Sequence, residues 1–541
     1  MITLNRRIEG GDFGSAGSAT RMLKDQLRMA GVPVDTLRRA MIASYEAEMN
    51  VVIHARRGTL WARIDGGRLD LEVIDDGPGI PDVDLALREG WSTASEAARR
   101  MGFGAGMGLP NIRRSSDRFE IDSDVGRGTR VRSTILLPDR SRGTPASDDP
   151  EAPAPAPELR ADRCRACHAC LAACPTAALR VREDGPRLLA SRCIGCTQCA
   201  ASCPDHVFGI GAPDAVDLAG TGSVLVVPRA FLASFAAAPA AVLAALGGLG
   251  FGEIRTTEEW ERALRLEALD RAGRGHGPLV VPSCPAVAAL VETRFPGLLG
   301  RMALLASPLA AAAAGFPLHR LVVVPACPAQ REAVQRESRA GRVAIVEPGD
   351  LAAAVRPLLA GAPAGDAAGA GRVPADLDGP GPDGVLRVTG LRHAVRALEL
   401  AEAGALPGVR LLEPFACDGG CDGSPYLGVD PFVAVHRLVL AGPPAARAGS
   451  TAAAAVGRRR PFAARAGSRL DPDMATAIGL LGAIDEAVRA LPGRDCGSCG
   501  APTCAAFAED LVLGRVGASD CPHRTRPLDG AVARPRGGRT A

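Results

Sequence analysis

A chain of 541 residues is too long for one hydrophobic core and implies about three or four domains. A net charge of +3 with 3% aromatic residues excludes the basic, ring-rich surface that nucleic acids select, so no nucleic-acid partner is expected. Lys24 is the only lysine, which rules out any lysine-based nucleotide site beyond the first helix. Residues 1–15 have no apolar run behind a basic start, so no secretory signal is read there. Paired Cys-x-x-Cys spacings without such a signal point to metal in a reducing cytoplasm, not to disulfides.

In chain order, residues 34–55 have a helical period, with Leu37, Met41, Ile42, Met49 and Ile53 predicted on the apolar side. Glu46 and Asn50 are four apart and share a face of that helix. The alternating run Leu69-Asp70-Leu71-Glu72-Val73-Ile74 predicts a half-buried strand ending in Asp75-Asp76-Gly77-Pro78-Gly79-Ile80. A second glycine-rich loop runs from Gly102 through Gly104, Gly106 and Gly108 to Leu109, and residues 119–122 and 128–131 alternate again as strands. Each piece has a task if the ligand is ATP. A carboxylate ending a strand, Asp75, accepts the adenine amino hydrogen, while Gly77 and Gly79 let the backbone approach the ring. Gly104, Gly106 and Gly108 present amides to phosphates at a helix start. Asn50 offers an oxygen to magnesium. Glu46, one turn earlier, orients or deprotonates an attacking hydroxyl.

These residues resemble the GHKL ATPase family, with the spacing of small bacterial anti-sigma and switch-protein serine kinases. The resemblance covers nearly all of residues 1–138. It implies Asn50 as magnesium ligand, Asp75 as adenine partner, Gly104, Gly106 and Gly108 as phosphate loop and Glu46 as catalytic base. Gly77, Gly79 and Thr129 complete the expected ATP site. The family needs no lysine in its phosphate loop, which suits this chain. His54 is read as a packing residue. Nucleotide acting only as a conformational ligand is the alternative to kinase activity.

A Pro/Ala-rich linker is expected over 139–160. Cys164, Cys167, Cys170 and Cys174-Pro175 are then repeated as Cys193, Cys196, Cys199 and Cys203-Pro204. This is the bacterial two-cluster ferredoxin pattern, in which the fourth cysteine of each run serves the other cluster. Cys164, Cys167, Cys170 and Cys203 are therefore assigned to one cubane, and Cys193, Cys196, Cys199 and Cys174 to its partner. Structural zinc is the competing reading of paired cysteines. His168 is expected to face solvent.

Residues 213–437 alternate strands (223–227, 279–281, 321–324, 343–346) with helices (260–272, 286–293), which implies parallel α/β layers. Residues 230–252 are long and uncharged, but Pro239 interrupts them, so they are read as a soluble helix followed by a turn, without a membrane span. Cys284 and Cys327 each follow a predicted strand, and Cys417 and Cys421 lie in one loop. The stretches around Ser283-Cys284-Pro285-Ala286, 301–308, 325–332 and 416–423 resemble the catalytic domain of [FeFe]-hydrogenases. That resemblance implies a cubane on Cys284, Cys327, Cys417 and Cys421, with Cys421 bridging to a two-iron subcluster. Three departures speak against a complete diiron subcluster. Ser283 stands where the family has a proton-relaying cysteine, Gln330 stands nearest the place of a lysine, and Gly423-Ser424-Pro425-Tyr426 replaces a glycine-rich run. Gln330 supplies no positive charge to an anionic cluster.

After a linker over 438–470, Cys496, Cys499, Cys504 and Cys521 bracket a short helical pattern at 505–513. This resembles the small 4Fe–4S module of corrinoid iron–sulfur proteins, with zinc as the alternative.

The expected fold class is multidomain α/β and α+β. It comprises a GHKL α/β sandwich (1–138), a ferredoxin-like two-cluster module (161–212), hydrogenase-like parallel α/β layers (213–437), a small helical 4Fe–4S module (471–525) and a disordered tail (526–541). Expected cofactors are four 4Fe–4S clusters, ATP and magnesium. Expected partners are an electron donor or acceptor such as ferredoxin or hydrogenase subunits, a regulatory partner protein and a second copy in a homodimer. Two functions compete: a redox or hydrogen sensor with an ATP-binding output domain that phosphorylates or sequesters a partner, and an oxidoreductase component regulated by ATP.

Overall fold

The computed structural model describes residues 2–65, 67–94, 104, 106–137, 155–182, 184–210, 223–272, 278–316, 321–338, 343–360, 379–380, 384–440, 456–458, 460–465, 470–471 and 473–523. Most of the expected 139–160 linker, Gly102 and the 526–541 tail lie outside them. The chain divides into two compact units, one of Met1–Pro145, Ser468–Cys499 and Thr503–Ala541, the other of Ala146–Gly467 with Gly500–Pro502.

The first unit holds an antiparallel sheet built from β1 (Ile2–Glu9), β2 (Arg57–Asp65), β3 (Arg68–Asp75), β4 (Arg118–Asp124) and β5 (Gly128–Leu136), in the order β1-β2-β3-β5-β4. Strict alternation in β2 and β3 puts Leu60, Ala62, Ile64, Leu69, Leu71 and Val73 on one buried face. The helix Val34–His54 belongs to that core through Leu37, Ala40, Ala43, Ala47 and Val51. Met41, Ile42 and Ile53, predicted on the apolar side, are only partly buried. Small alanines hold the central positions because they let the helix backbone come close to the sheet. Gly58 shows how close, since a Cβ there would sit 2.8 Å from Val51.

Glu48 on the same helix is 1% exposed and accepts from the Ala19 and Thr20 amides at 3.2 and 3.0 Å and the Thr20 hydroxyl at 2.8 Å. It thereby caps the helix Ser18–Met29, whose own N-cap residue, Gly17, has no side chain to do so.

The helix Met474–Ala490 also joins this unit. Met474, Ile478 and Leu481 are members of the same apolar core as Leu4, Leu23 and Leu27. The sequence alone put residues 471–525 into a C-terminal 4Fe–4S module and marked a helix there only at 505–513.

In the second unit, β6 (Glu158–Leu159) pairs with β9 (Phe208–Gly209), and β7 (Leu179–Arg182) forms a hairpin with β8 (Gly185–Leu188). Two four-stranded sheets follow. One has the order β11 (Glu253–Thr256), β10 (Val224–Val227), β13 (Leu321–Val323), β14 (Val343–Ile345), all parallel. The other has the order β12 (Leu279–Val280), β17 (Leu411–Pro414), β16 (Val385–Val388), β15 (Gly379–Pro380), parallel except at β15.

The apolar stretch 230–252 divides into two helices, Arg229–Ala233 and Pro239–Gly248, because Pro239 takes the first helical turn of the second, where its missing N–H costs nothing. No described helix is long and apolar enough to cross a membrane.

Part of the region read as the 438–470 linker is ordered against this unit. Gly457 bridges to Leu305, the Ala306 amide donates to Val456 at 2.8 Å, and Arg465 pairs with buried Glu292 at 2.9 Å. Its weak apolar period hid this, because the contacts are one β-bridge, a buried Phe462 under the Arg458 guanidinium, and ion pairs.

Candidate functional site

On the ATPase sheet, Asp75 ends β3, and its Oδ1 accepts from the amides of Gly77 at 2.8 Å and Thr129 at 3.3 Å. Burial pushes the Asp75 carboxyl up, while these two donors pull the other way. His54, next to it, is held below its usual value by burial, against the pull of the Asp75 charge. Gly79 adopts φ +72° and stands so close to β4 that a Cβ would lie 2.1 Å from the Asp124 carbonyl. The Ile80 amide donates to Ser123 Oγ at 2.8 Å, and Ser123 Oγ lies 2.9 Å from Thr129 Oγ1. The turn after Asp75 is thus fastened to the β4–β5 hairpin. Gly79→Ala is expected to add about 1–3 kcal/mol of backbone strain and to weaken nucleotide binding measured by calorimetry.

Glu46 and Asn50 lie against the start of the helix Gly108–Ser115. A Cβ on Gly108 would be 3.0 Å from Asn50 Oδ1 and 3.5 Å from Glu46 Oε2. Asn111 on that helix donates from Nδ2 to Glu46 Oε1 at 2.6 Å, and its Oδ1 accepts from Arg114 at 2.6 Å. Burial raises the Glu46 carboxyl above the usual range, with the Asn111 bond opposing it. Gly104 and Gly106 both take positive φ, and the Gly106 carbonyl accepts from the Gly90 amide at 3.0 Å. Asn111 carried no motif signal in the sequence. Only the spacing from Gly108, one helical turn, hinted that it faces Glu46.

In the second unit, Cys164, Cys167, Cys170 and Cys203 line one recess, and Cys174, Cys193, Cys196 and Cys199 line another. The two runs fold alike. Ala166 and Gly195, His168 and Thr197, and Ala177 and His206 occupy equivalent places, and all six have positive φ. Only the second run has the permissive glycine; the other five accept a strained conformation. The turns aim amides at sulfur, with Ala166 donating to Cys164 at 3.5 Å, Gly195 to Cys193 at 3.4 Å and Ala178 to Cys174 at 3.3 Å. His168, expected to face solvent, is half-buried and lines the first recess beside Cys167, because the left-handed turn rotates it inward.

Cys284, Cys327, Cys417 and Cys421 line a third recess. Cys284 follows β12, Cys327 follows β13, and the Cys417–Cys421 loop follows β17, so strand ends of both sheets converge there. Cys284 and Cys327 are each the N-cap of a helix whose first turn holds a proline. A thiolate at a helix N-terminus is electrostatically favoured. Burial pushes the Cys417 thiol up to about 12, and raises those of Cys284, Cys327 and Cys421 as well. Any metal held there would have to displace protons.

The second and third recesses share Gly195, Cys196 and Thr197. Among the described residues no three His, Cys, Asp or Glu side chains converge as a single-ion site.

In the C-terminal module Cys504 opens the helix Cys504–Val512, and its amide donates to Asp495 Oδ1 at 2.6 Å. Cys496 is exposed, and Cys521, after the turn Ala518–Asp520, is buried. The set lies on three short segments connected through this helix.

An antiparallel sheet with a carboxylate at a strand end, covered by a helix whose Glu46 and Asn50 lie against the glycine-led helix Gly108–Ser115, is the fold of a nucleotide-binding ATPase family. Three family profiles match: the histidine kinase-, DNA gyrase B-, and HSP90-like ATPase family over 38–140, a 4Fe-4S dicluster domain over 163–207, and an Fe-S cluster family over 491–523. Serine/threonine-protein kinase RsbT of Bacillus subtilis is 32% identical over 103 residues, 18% of this chain and 71% of that protein. The anti-sigma F factor of Thermoanaerobacter sp. (strain X514) is 36% identical over 97 residues, 17% of this chain and 64% of that protein. The chain thus spans 64% of the length of that anti-sigma factor. Through residues 38–140 the chain belongs to the histidine kinase-, DNA gyrase B-, and HSP90-like ATPase family. Among solved structures, the apo [FeFe]-hydrogenase HydA1 of Chlamydomonas reinhardtii is similar at 17% identity and a TM-score of 0.27, covering 40% of this chain and 81% of that one.

Proposed function

We propose that the protein is an iron–sulfur redox sensor whose ATPase domain acts on a partner protein, by phosphorylation or by sequestration, according to the electron load of its clusters. The observation that carries this reading lies in the first unit. Helix Met474–Ala490 contributes Met474, Ile478 and Leu481 to the ATPase core, and the same helix packs against Cys504–Val512, which begins with a cluster cysteine. A charge change at the Cys496, Cys499, Cys504 and Cys521 set has a packed route to the sheet that carries Asp75. Such coupling requires that the two redox states contact the helix differently. Relatives named serine/threonine-protein kinase and anti-sigma factor support a protein partner bearing a hydroxyl acceptor or a binding face.

In this reading Asn50 holds magnesium, Asp75 and the turns at Gly77 and Gly79 take the adenine, and Gly104, Gly106 and Gly108 hold phosphate. Glu46 accepts the hydroxyl proton. The sixteen cysteines hold four cubanes, with the expected assignments. When bound, the clusters supply reversible one-electron storage.

The test is ATP turnover of anaerobically prepared full-length protein, poised oxidised and then reduced. A rate that is the same in both states would remove the sensor reading.

The shared Gly195, Cys196 and Thr197 between two recesses favour a second reading, an oxidoreductase component regulated by ATP. Infrared carbonyl and cyanide bands, with hydrogen uptake, would promote it over the sensor.

A further inference from the structure

The third recess is walled by Pro285, Ala286, Ala326, Phe415 and Ala416, an apolar lining in which added negative charge is costly. Three polar side chains break it: Ser424, whose hydroxyl donates to the Ala326 carbonyl, and two that reach ligand sulfurs. Gln330 is 7% exposed and fully engaged. Its Oε1 accepts from the Ala326 amide at 2.7 Å, which fixes the amide so that Nε2 donates to Cys421 Sγ at 3.4 Å. Its own backbone amide donates to Cys327 Sγ at 3.4 Å. Thr197 is 3% exposed, and its hydroxyl lies 3.5 Å from Cys417 Sγ. Thr197 belongs to the loop between Cys196 and Cys199, so a residue of one cysteine run touches a sulfur of another set.

We propose that Gln330 and Thr197 set the reduction potential of the cluster held by Cys284, Cys327, Cys417 and Cys421, each by donating a side-chain hydrogen bond to a ligand sulfur. This rests on the reading that the quartet holds a cubane. Reduction adds one electron, supplied by a one-electron carrier of the ferredoxin class, and no bond forms or breaks. Donors to sulfur stabilise the reduced, more negative state above the oxidised one and so raise the potential. In an apolar recess their effect is weakly screened. Gln330 and Thr197 thus offset part of the cost of adding negative charge within this apolar lining. Because Thr197 is held by the second ferredoxin run, with φ +67°, the tuning depends on that run being correctly folded.

The experiment is an EPR-monitored redox titration of the full-length, anaerobically reconstituted protein, with iron and sulfide analysis. Gln330→Leu and Thr197→Val are each expected to shift the midpoint of one signal to more negative potential, leaving the others in place. Gln330→Glu, which replaces the donor by a charge, is expected to shift it further. Thr197→Ser restores the hydroxyl and is expected to return the midpoint towards wild type. Full iron content with an unmoved midpoint in both Gln330→Leu and Thr197→Val overturns the proposal. A wild-type protein short of one cluster, and equally short when Cys284→Ala is introduced, overturns the underlying cubane reading and the proposal with it.

Discussion

Glu46→Gln is expected to reduce ATP turnover by about 10²–10⁴-fold, the usual worth of a positioned general base, while nucleotide binding persists. Binding persists because Asp75 and the glycine turns stand on other elements. The pH profile gives a second signature. Burial raises the Glu46 carboxyl, so the acid limb of the wild-type rate is expected above the ordinary carboxylate range. Below that limb Glu46 is protonated and cannot accept a proton. The same raised value has a stability cost of definite sign. The contribution of protonated Glu46 is fully present below the unfolded value and is lost as pH rises through the folded one. The form that the proposed role of Glu46 needs is therefore the form the fold favours less. Asn111→Ala removes a bond that lowers the Glu46 value, so the limb should move to still higher pH, with ATP affinity retained. An unmoved limb would take Asn111 out of this role.

Leu481→Ala is expected to cost about 2–5 kcal/mol and to lower the melting midpoint of the ATPase unit. Leu481 is 2% exposed and shares a core with the strands, although it lies far from them in sequence. Calorimetry with and without ATP reads this directly, since ATP stabilises only the folded unit. A midpoint within a degree of wild type would mean that the helix Met474–Ala490 is not part of the ATPase core. It would also remove the packed route on which the proposed redox control of the ATPase depends.

Much of this was legible in the sequence, for identifiable reasons. Period-two alternation marked β3 and so placed Asp75 at a strand end, and the cysteine spacings marked the ferredoxin runs because both turns are local. The strands β11, β16 and β17 were not recognised. They are four residues each, and Arg255, Arg387 and Glu413 interrupt their apolar pattern. Glu413 is satisfied only in three dimensions, by Ser283 and Arg265, and the Arg387 guanidinium lies over the Phe415 ring, whereas Arg255 pairs close by with Glu253 and Glu259. Ser283, read from the sequence as a lost proton relay, is held by that bond to Glu413 at 2.9 Å. Asn111, Glu48 and Gln330 are of the same kind. Each makes its decisive contact with a residue distant along the chain, and no local pattern announces that.

The ATPase unit is discontinuous: the second unit is inserted between its N-terminal sheet and the helix that completes its core. On the ribosome the sheet emerges first, yet Met474, Ile478 and Leu481 arrive only after all of the ferredoxin cysteines. Iron insertion into the middle of the polypeptide can therefore precede closure of the nucleotide-binding part. A newborn molecule starved of iron could therefore still complete the core that carries Asp75, so that closure of the ATP-handling part and loading of the cysteines are separable events in the life of one chain.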